Sequence, residues 1–120
     1  MKKSVMEQKS YDFAVRIVRL SQMLTKQNEF VLSKQVLRSG TAVGALLREA
    51  HFAQSTKDYI HKMSIGLKEA YETDYWLELL KDTDYIDDKL YESLAANCTE
   101  LIKMLVSSIN TLKKKLNNKT

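Results

Sequence analysis

The feature that most constrains this chain of 120 residues is its lack of helix breakers. It contains no proline, and its three glycines, Gly40, Gly44 and Gly66, lie inside apolar-periodic stretches and not between them. Because proline ends or kinks helices and glycine commonly marks turns, a chain so poor in both is predicted to form long helices. With 44% hydrophobic and 28% charged residues, it can bury the core of one globular domain over residues 1–120.

Apolar residues recur at helical spacing in four stretches, which predicts helices over residues 4–26, 30–53, 56–81 and 87–115. In the first helix, two adjoining rows are predicted to face inward; they consist of Tyr11, Ala14, Val18 and Ser21, and of Phe13, Ile17, Leu20 and Leu24. Loops of only a few residues force consecutive helices to run antiparallel. The sequence therefore predicts an all-α fold, an antiparallel up-and-down four-helix bundle.

The glycines predict a close helix contact, because each glycine inside a helix costs about 1 kcal/mol relative to alanine and needs compensation. If the second and third helices turn around near residue 55, Gly40 lies level with Ala70, and Gly44 with Gly66. We therefore expect a seam of small residues between these two helices. A use of the glycines in subunit contact or ligand approach is the alternative.

Charge is distributed unevenly along the chain. Residues 1–54 hold nine Lys/Arg and four Asp/Glu, residues 55–99 hold five and ten, and residues 100–120 hold five and one. If the first two helices are neighbours, one basic surface is expected, formed by Arg16, Arg19, Lys34, Arg38 and Arg48. Arginine forks suit phosphates, so this surface is a candidate for binding RNA or DNA, and an ordinary solvated face is the alternative.

The end of the third helix is aromatic and acidic. Tyr71, Tyr75 and Trp76 stand there among Glu72, Asp74 and Glu78. Because Tyr and Trp are enriched in interface hot spots, these three aromatic residues are a candidate protein-contact patch. The alternative is that Trp76 closes the end of the bundle.

No pattern in the sequence indicates catalysis. Asp58 and His61 stand one helical turn apart, but a di-metal bundle needs inward carboxylates from several helices, so no metal or other cofactor is expected. The lone cysteine, Cys98, occupies an apolar helical position typical of a buried thiol. With no apolar stretch long enough to span a membrane and no apolar signal segment, we expect a cytoplasmic protein without a membrane partner.

Three segments carry a resemblance to a known family: LSKQVLRSGTAVGALLREA over residues 32–50, KMSIGLKEA over 62–70 and YWLELL over 75–80. The chain resembles the bacterial four-helix-bundle family, also called the 23S rRNA intervening-sequence protein family, to which the accessory variability proteins of diversity-generating retroelements are similar. The resemblance spans about residues 10–112. It implies a four-helix bundle, a homopentameric ring and no established enzymatic activity. For the retroelement relatives, it implies contact with nucleic acid and a reverse transcriptase through a basic surface.

One position departs from the family pattern. Where the family commonly has an asparagine within an Asn-Ile-x-Glu stretch, this chain has Leu46, although it keeps Arg48 and Glu49. Arg38 and Arg48 are the basic positions that match the family. The expected function is thus a non-catalytic oligomeric scaffold that binds nucleic acid, structured RNA in particular, and the alternative is a protein-interaction module without a nucleic-acid role.

Overall fold

The computed structural model describes residues 3–118 and confirms the all-α bundle. Its four helices are α1 (Val5–Lys26), α2 (Leu32–His51), α3 (Thr56–Asp82) and α4 (Asp88–Asn118). α2 begins two residues later and ends two residues earlier than expected, and Phe30 and Val31 belong to the connection before it. α4 continues three residues past the predicted end.

Side chains and local backbone geometry define the helix ends without help from glycine. The hydroxyls of Ser4 and Ser55 accept hydrogen bonds from the backbone N–H three residues on, at 3.1 Å in both cases, and cap α1 and α3. Asn28 and Asp84 follow α1 and α3 in the left-handed region, with φ of 64° and 68°. Asn and Asp tolerate this conformation, so both helices can stop sharply in a chain that has no glycine in its turns.

The helices form a four-cornered bundle in which neighbours in sequence are neighbours in space. α2 packs against α1 and α3, and α4 packs against α3, whereas α1 and α4 approach each other less closely. Within residues 3–118, no close backbone approach joins α1 to α3 or α2 to α4, so these pairs are the diagonals. The centre is filled by fully buried side chains from all four helices, including Phe13, Ile17, Leu24, Val36, Val43, Met63, Leu77, Leu80, Leu94, Leu101 and Leu105.

Only part of the expected inward face of α1 is buried. Ile17 and Leu24 are fully buried, and Ser21 is 8% exposed, but Tyr11 and Val18 are 48% and 40% exposed. The inward prediction for these two residues is therefore wrong. The buried stripe of α1 turns instead toward α2, where the backbone of Ser10 lies close to Gly44 and the hydroxyl of Ser21 donates to the backbone oxygen of Ser33 at 3.4 Å.

The glycines of α2 face α1 and not α3, so the expected pairing of Gly40 with Ala70 and of Gly44 with Gly66 is wrong. A Cβ atom added at Gly40 would lie 2.8 Å from both γ carbons of Ile17, and one at Gly44 would lie 3.3 Å from the backbone oxygen of Ser10. Gly66 does face α2, but its nearest neighbour is the Cβ of Leu46, at 3.8 Å. An antiparallel register gives the height of a residue on its helix, whereas the side it faces depends on the helical rotation.

Candidate nucleic-acid interface

The predicted basic residues of α1 lie on the side of that helix that faces α4. The guanidinium of Arg16 donates a hydrogen bond of 2.6 Å to the Asn97 side chain, and it lies 3.4 Å from the backbone oxygen of Ser93. Arg19 is exposed and borders the same α1–α4 groove. Arg16 thus bridges the two helices that pack most loosely.

Arg38 lies on the opposite side of the bundle, between α2 and α3. Its guanidinium forms ion pairs with the carboxylates of Glu69, at 2.8 Å, and of Glu72. The hydrogen bond with Glu72 raises the pKa of Arg38. The pKa of Glu72 is lowered, mainly by the hydrogen bond from the Trp76 indole N–H and secondly by that from Arg38. The charge of Arg38 is therefore compensated by two carboxylates of α3.

Arg48 lies near the other end of α2, beside an aromatic ring of α1. Its guanidinium carbon is 6.0 Å from the centroid of the Tyr11 ring, and the ammonium of Lys3 is 4.6 Å from the same centroid. Both distances allow cation–π attraction. In residues 3–118, neither Lys3 nor Arg48 forms an ion pair, and together with Tyr11 they line a groove of about 420 Å³. The groove is also lined by the carboxylates of Glu7 and Glu49, which are paired with His51 and Lys62.

The five predicted basic residues are consequently not brought together on one surface. Arg16 and Arg19 face the groove with α4, Arg38 is paired with α3, and Arg48 adjoins Tyr11. Lys34 is exposed on α2, and no carboxylate of the described residues pairs with it.

The uneven charge of the sequence becomes a polarity along the long axis of the bundle. Contacts such as that of Cys98 with Ala70 and that of Ser10 with Gly44 fix the heights of the helices. At that register, one half of the molecule consists of residues 3–16, 41–69 and 100–118 and holds eleven Lys/Arg and six Asp/Glu. The other half, residues 17–40 and 70–99, holds six and nine.

We call the tip of the basic half the cationic end; it carries Lys3, Arg48, Lys57 and Lys113–Lys115. Two aromatic rings are exposed there, Tyr11 at 48% and Phe52, in the turn between α2 and α3, at 66%. Cations interleaved with exposed rings are the usual composition of a surface that binds single-stranded nucleic acid. Sequence reasoning missed Lys3, Tyr11 and Phe52, because Tyr11 was assigned to the core and neither of the others stood in a motif.

The aromatic residues of α3 lie in the acidic half. Tyr71 and Tyr75 are 53% and 59% exposed. Trp76 is half-buried against the core, its ring centroid lies 5.0 Å from that of Tyr75, and its indole N–H donates to Glu72 at 2.9 Å. The two tyrosines are thus accessible for contact, whereas Trp76 connects the core to the Arg38 ion pairs.

Two of the residues that could suggest chemistry, Asp58 and Cys98, have structural partners. Asp58 accepts a hydrogen bond from the backbone N–H of Gln54 at 3.2 Å, next to the start of α3. The Cys98 thiol is fully buried and donates to the backbone oxygen of Ala70 at 3.3 Å; burial, and then the charge of Asp74, raise its pKa to about 12. Over residues 3–118, no three His, Cys, Asp or Glu side chains are grouped so that they could hold a metal ion.

The comparisons with known proteins agree with this fold. The model of the 23S rRNA-intervening sequence protein family matches residues 2–107. A solved crystal structure, that of a protein of unknown function from the S23 ribosomal protein family of Bacteroides thetaiotaomicron, is 56% identical and has a TM-score of 0.86. The match covers 88% of this chain and 98% of that one.

No protein of curated function matches the chain. Among the described residues, none of the helices has the length and apolar character needed to cross a membrane. Since the family model matches most of its length, the chain belongs to the 23S rRNA-intervening sequence protein family.

Proposed function

We propose that this protein is a non-catalytic, homo-oligomeric scaffold that binds nucleic acid, structured RNA in particular, through the cationic end of the bundle. The observation that carries the proposal is the exposed Tyr11 ring, which lies beside Lys3 and Arg48 at the end where positive charge accumulates. The family name, which refers to an rRNA insertion, supports an RNA context.

The geometry suits RNA because the two interactions it offers are complementary. Lys3 and Arg48 lack carboxylate partners among the described residues, so a phosphate does not have to displace an existing ion pair before it binds. An exposed aromatic ring accepts an unstacked base, and RNA loops and bulges supply such bases. Arg38 is assigned to the bonding of α2 to α3 and not to RNA, because two carboxylates already hold it.

Titration of one labelled RNA hairpin, and of a DNA hairpin of the same sequence, at 50 mM and 200 mM salt tests this proposal. Arg48→Ala should weaken binding and reduce the slope of log K against log salt by about 1, the value for one lost phosphate contact. Arg38→Ala is the matched control on the same helix and should leave the slope unchanged. Undetectable binding of both hairpins at low salt would remove the nucleic-acid proposal.

The role of the ring can be tested separately from that of the charges. Tyr11→Ala removes the stacking surface, and we expect about a tenfold loss of affinity for the RNA hairpin, since a base–aromatic stack contributes about 1–3 kcal/mol. Tyr11→Phe keeps the ring and should retain most of the affinity. Equal affinity of the alanine and phenylalanine variants would remove Tyr11 from the interface.

The oligomeric part of the proposal is supported by the outward side of α1. Val15 and Val18 are 37% and 40% exposed there. We propose that a second copy of the chain covers these two valines and leaves Tyr11 accessible. Light scattering on the eluting protein should give five times the chain mass of 13.9 kDa, and Val18→Glu should lower that mass. A monomer at micromolar concentration would contradict the oligomer.

The second candidate function is a protein-interaction module. It is favoured by Tyr71 and Tyr75, which expose more than half of their surface beside the carboxylates of Asp74 and Glu78. Replacing both tyrosines by serine separates the two functions. RNA affinity should stay at the wild-type value if the cationic end is the nucleic-acid interface, whereas a change of oligomeric mass together with undetectable RNA binding would favour the interaction module.

A further inference from the structure

We infer that a cleft at the cationic end binds one unpaired nucleotide of an RNA. This inference rests on the proposed function and adds a specific subsite to it. The cleft has a volume of about 550 Å³ and lies between the end of α2, the start of α3 and the last third of α4. The side chains that carry the argument are Thr56, Tyr59, Ser107, Ser108, Thr111 and Leu112.

The cleft exists because α4 is longer than the helix beside it. α1 has 22 residues and begins at Val5, whereas α4 has 31. The ion pair of Lys9 with Glu100, at 2.8 Å, sets the register of the two helices, so the part of α4 beyond about Ser107 has no α1 residue next to it. Among residues 3–118, no helix covers the side of α4 that would face α1 there, and polar side chains occupy that side.

Most hydroxyl groups around the cleft are unpaired. Those of Thr56, Tyr59, Ser107, Ser108 and Thr111 have no hydrogen-bond partner within residues 3–118, whereas that of Ser55 accepts from the backbone N–H of Asp58 at 3.1 Å. Exposed hydroxyls elsewhere, such as that of Thr99, are unpaired as well. The cleft is distinguished because five hydroxyls that can each donate and accept border one space.

A nucleotide matches this combination of size and chemistry. Its base and ribose carry several donors and acceptors, and the cleft volume lies within the range of about 300–1,000 Å³ typical of small-ligand sites. Leu112 supplies an apolar wall, and the exposed cations Lys57 and Lys113 directly follow the lining residues Thr56 and Leu112 in sequence. Paired nucleotides are stacked inside the helix and cannot enter, so the occupant has to be unpaired.

The test compares two labelled RNA hairpins that differ only by one bulged nucleotide in the stem. The wild-type protein should bind the bulged hairpin about tenfold more tightly at equal salt. Ser108→Trp fills the cleft and should abolish this preference while leaving the affinity for the fully paired hairpin unchanged. Thr99→Trp places the same ring on an exposed part of α4 outside the cleft and should keep the preference.

A milder variant covers the case in which Ser108→Trp fails to fold. Ser107→Ala combined with Thr111→Val removes two hydroxyls with little change of shape and should lower the preference to about threefold or less. If the wild type binds both hairpins equally, or if its preference persists in both cleft variants, the nucleotide cleft is refuted although salt-dependent binding remains. If neither hairpin binds at low salt, the proposed function fails as well.

Discussion

Adding one methyl group at Gly40 should destabilise the protein, whereas the same methyl group at Gly66 should stabilise it. The Cβ of Gly40→Ala would lie 2.8 Å from Cγ1 and Cγ2 of Ile17 and 3.2 Å from its Cβ. Carbon atoms in contact prefer about 3.5–4.0 Å. Ile17 is fully buried and branched next to its backbone, so it cannot turn out of the way as the end of a flexible side chain could.

Two opposing contributions determine how much the free energy of unfolding changes. Alanine in place of glycine inside a helix gains about 0.5–1 kcal/mol, while an extra methyl group in a packed core costs about 1–3 kcal/mol. The free energy of unfolding of Gly40→Ala should therefore fall by about 1–2 kcal/mol. At Gly66 the nearest atom is 3.8 Å away, an ordinary contact, so only the gain of about 0.5–1 kcal/mol remains.

Urea unfolding followed by circular dichroism, at one fixed protein concentration, measures both variants. Ile17→Ala removes the two γ carbons, so the double variant Ile17→Ala/Gly40→Ala should cost about 1 kcal/mol less than the sum of the single variants. If Gly40→Ala were as stable as Gly66→Ala, or if the two changes at 17 and 40 were additive, the close approach of α1 and α2 at Gly40 would be refuted.

Three further outcomes follow from buried or paired groups. The hydroxyl of Ser33 is buried without a partner in the described residues, so Ser33→Ala should raise the free energy of unfolding by about 1 kcal/mol in the same urea assay. The pKa of Glu72 is lowered, so its contribution to stability is present above the ordinary value of 4.5 and is lost as pH falls through the lowered value. Trp76→Phe removes the main cause, and we expect a smaller difference in unfolding free energy between pH 7 and pH 3.5; an unchanged difference would contradict this. The Cys98 thiol, with a pKa of about 12, should react with a thiol reagent at pH 8 only on unfolding, and reaction at the rate of a free thiol in native protein would be inconsistent with its burial.

The sequence predicted the fold because composition and periodicity agree along the whole chain. No proline interrupts the apolar repeats, and Asn28 and Asp84 end helices where glycine would be expected. It was harder to predict which side chains of a helix its neighbours cover. Tyr11 and Val18 belong to a row that adjoins the core row, and a row alone does not specify how far the neighbouring helix covers it.

The candidate site was predicted less well than the fold, because it depends on the arrangement of the helices in space. The excess of basic residues near both termini is visible in the sequence, but only the antiparallel packing brings Lys3, Arg48 and Lys113 to one end. Arg38 stands out in the sequence because it matches a basic position of the family. Its ion pairs with Glu69 and Glu72 could not be predicted, because they form only when α3 packs against α2. The cleft arises from a difference in helix length that no motif encodes.

The charge polarity of the bundle also bears on how it would approach the proposed nucleic-acid partner. A rod 53 Å long with opposite net charge in its two halves has a permanent dipole along its axis. In the field of a polyanion, such a rod is turned before contact, so a larger fraction of encounters begins with the cationic end in front. For the proposed RNA complex, higher ionic strength should lower the association rate constant, while the short-range contacts proposed at Tyr11 and in the cleft should act mainly on the lifetime of the complex.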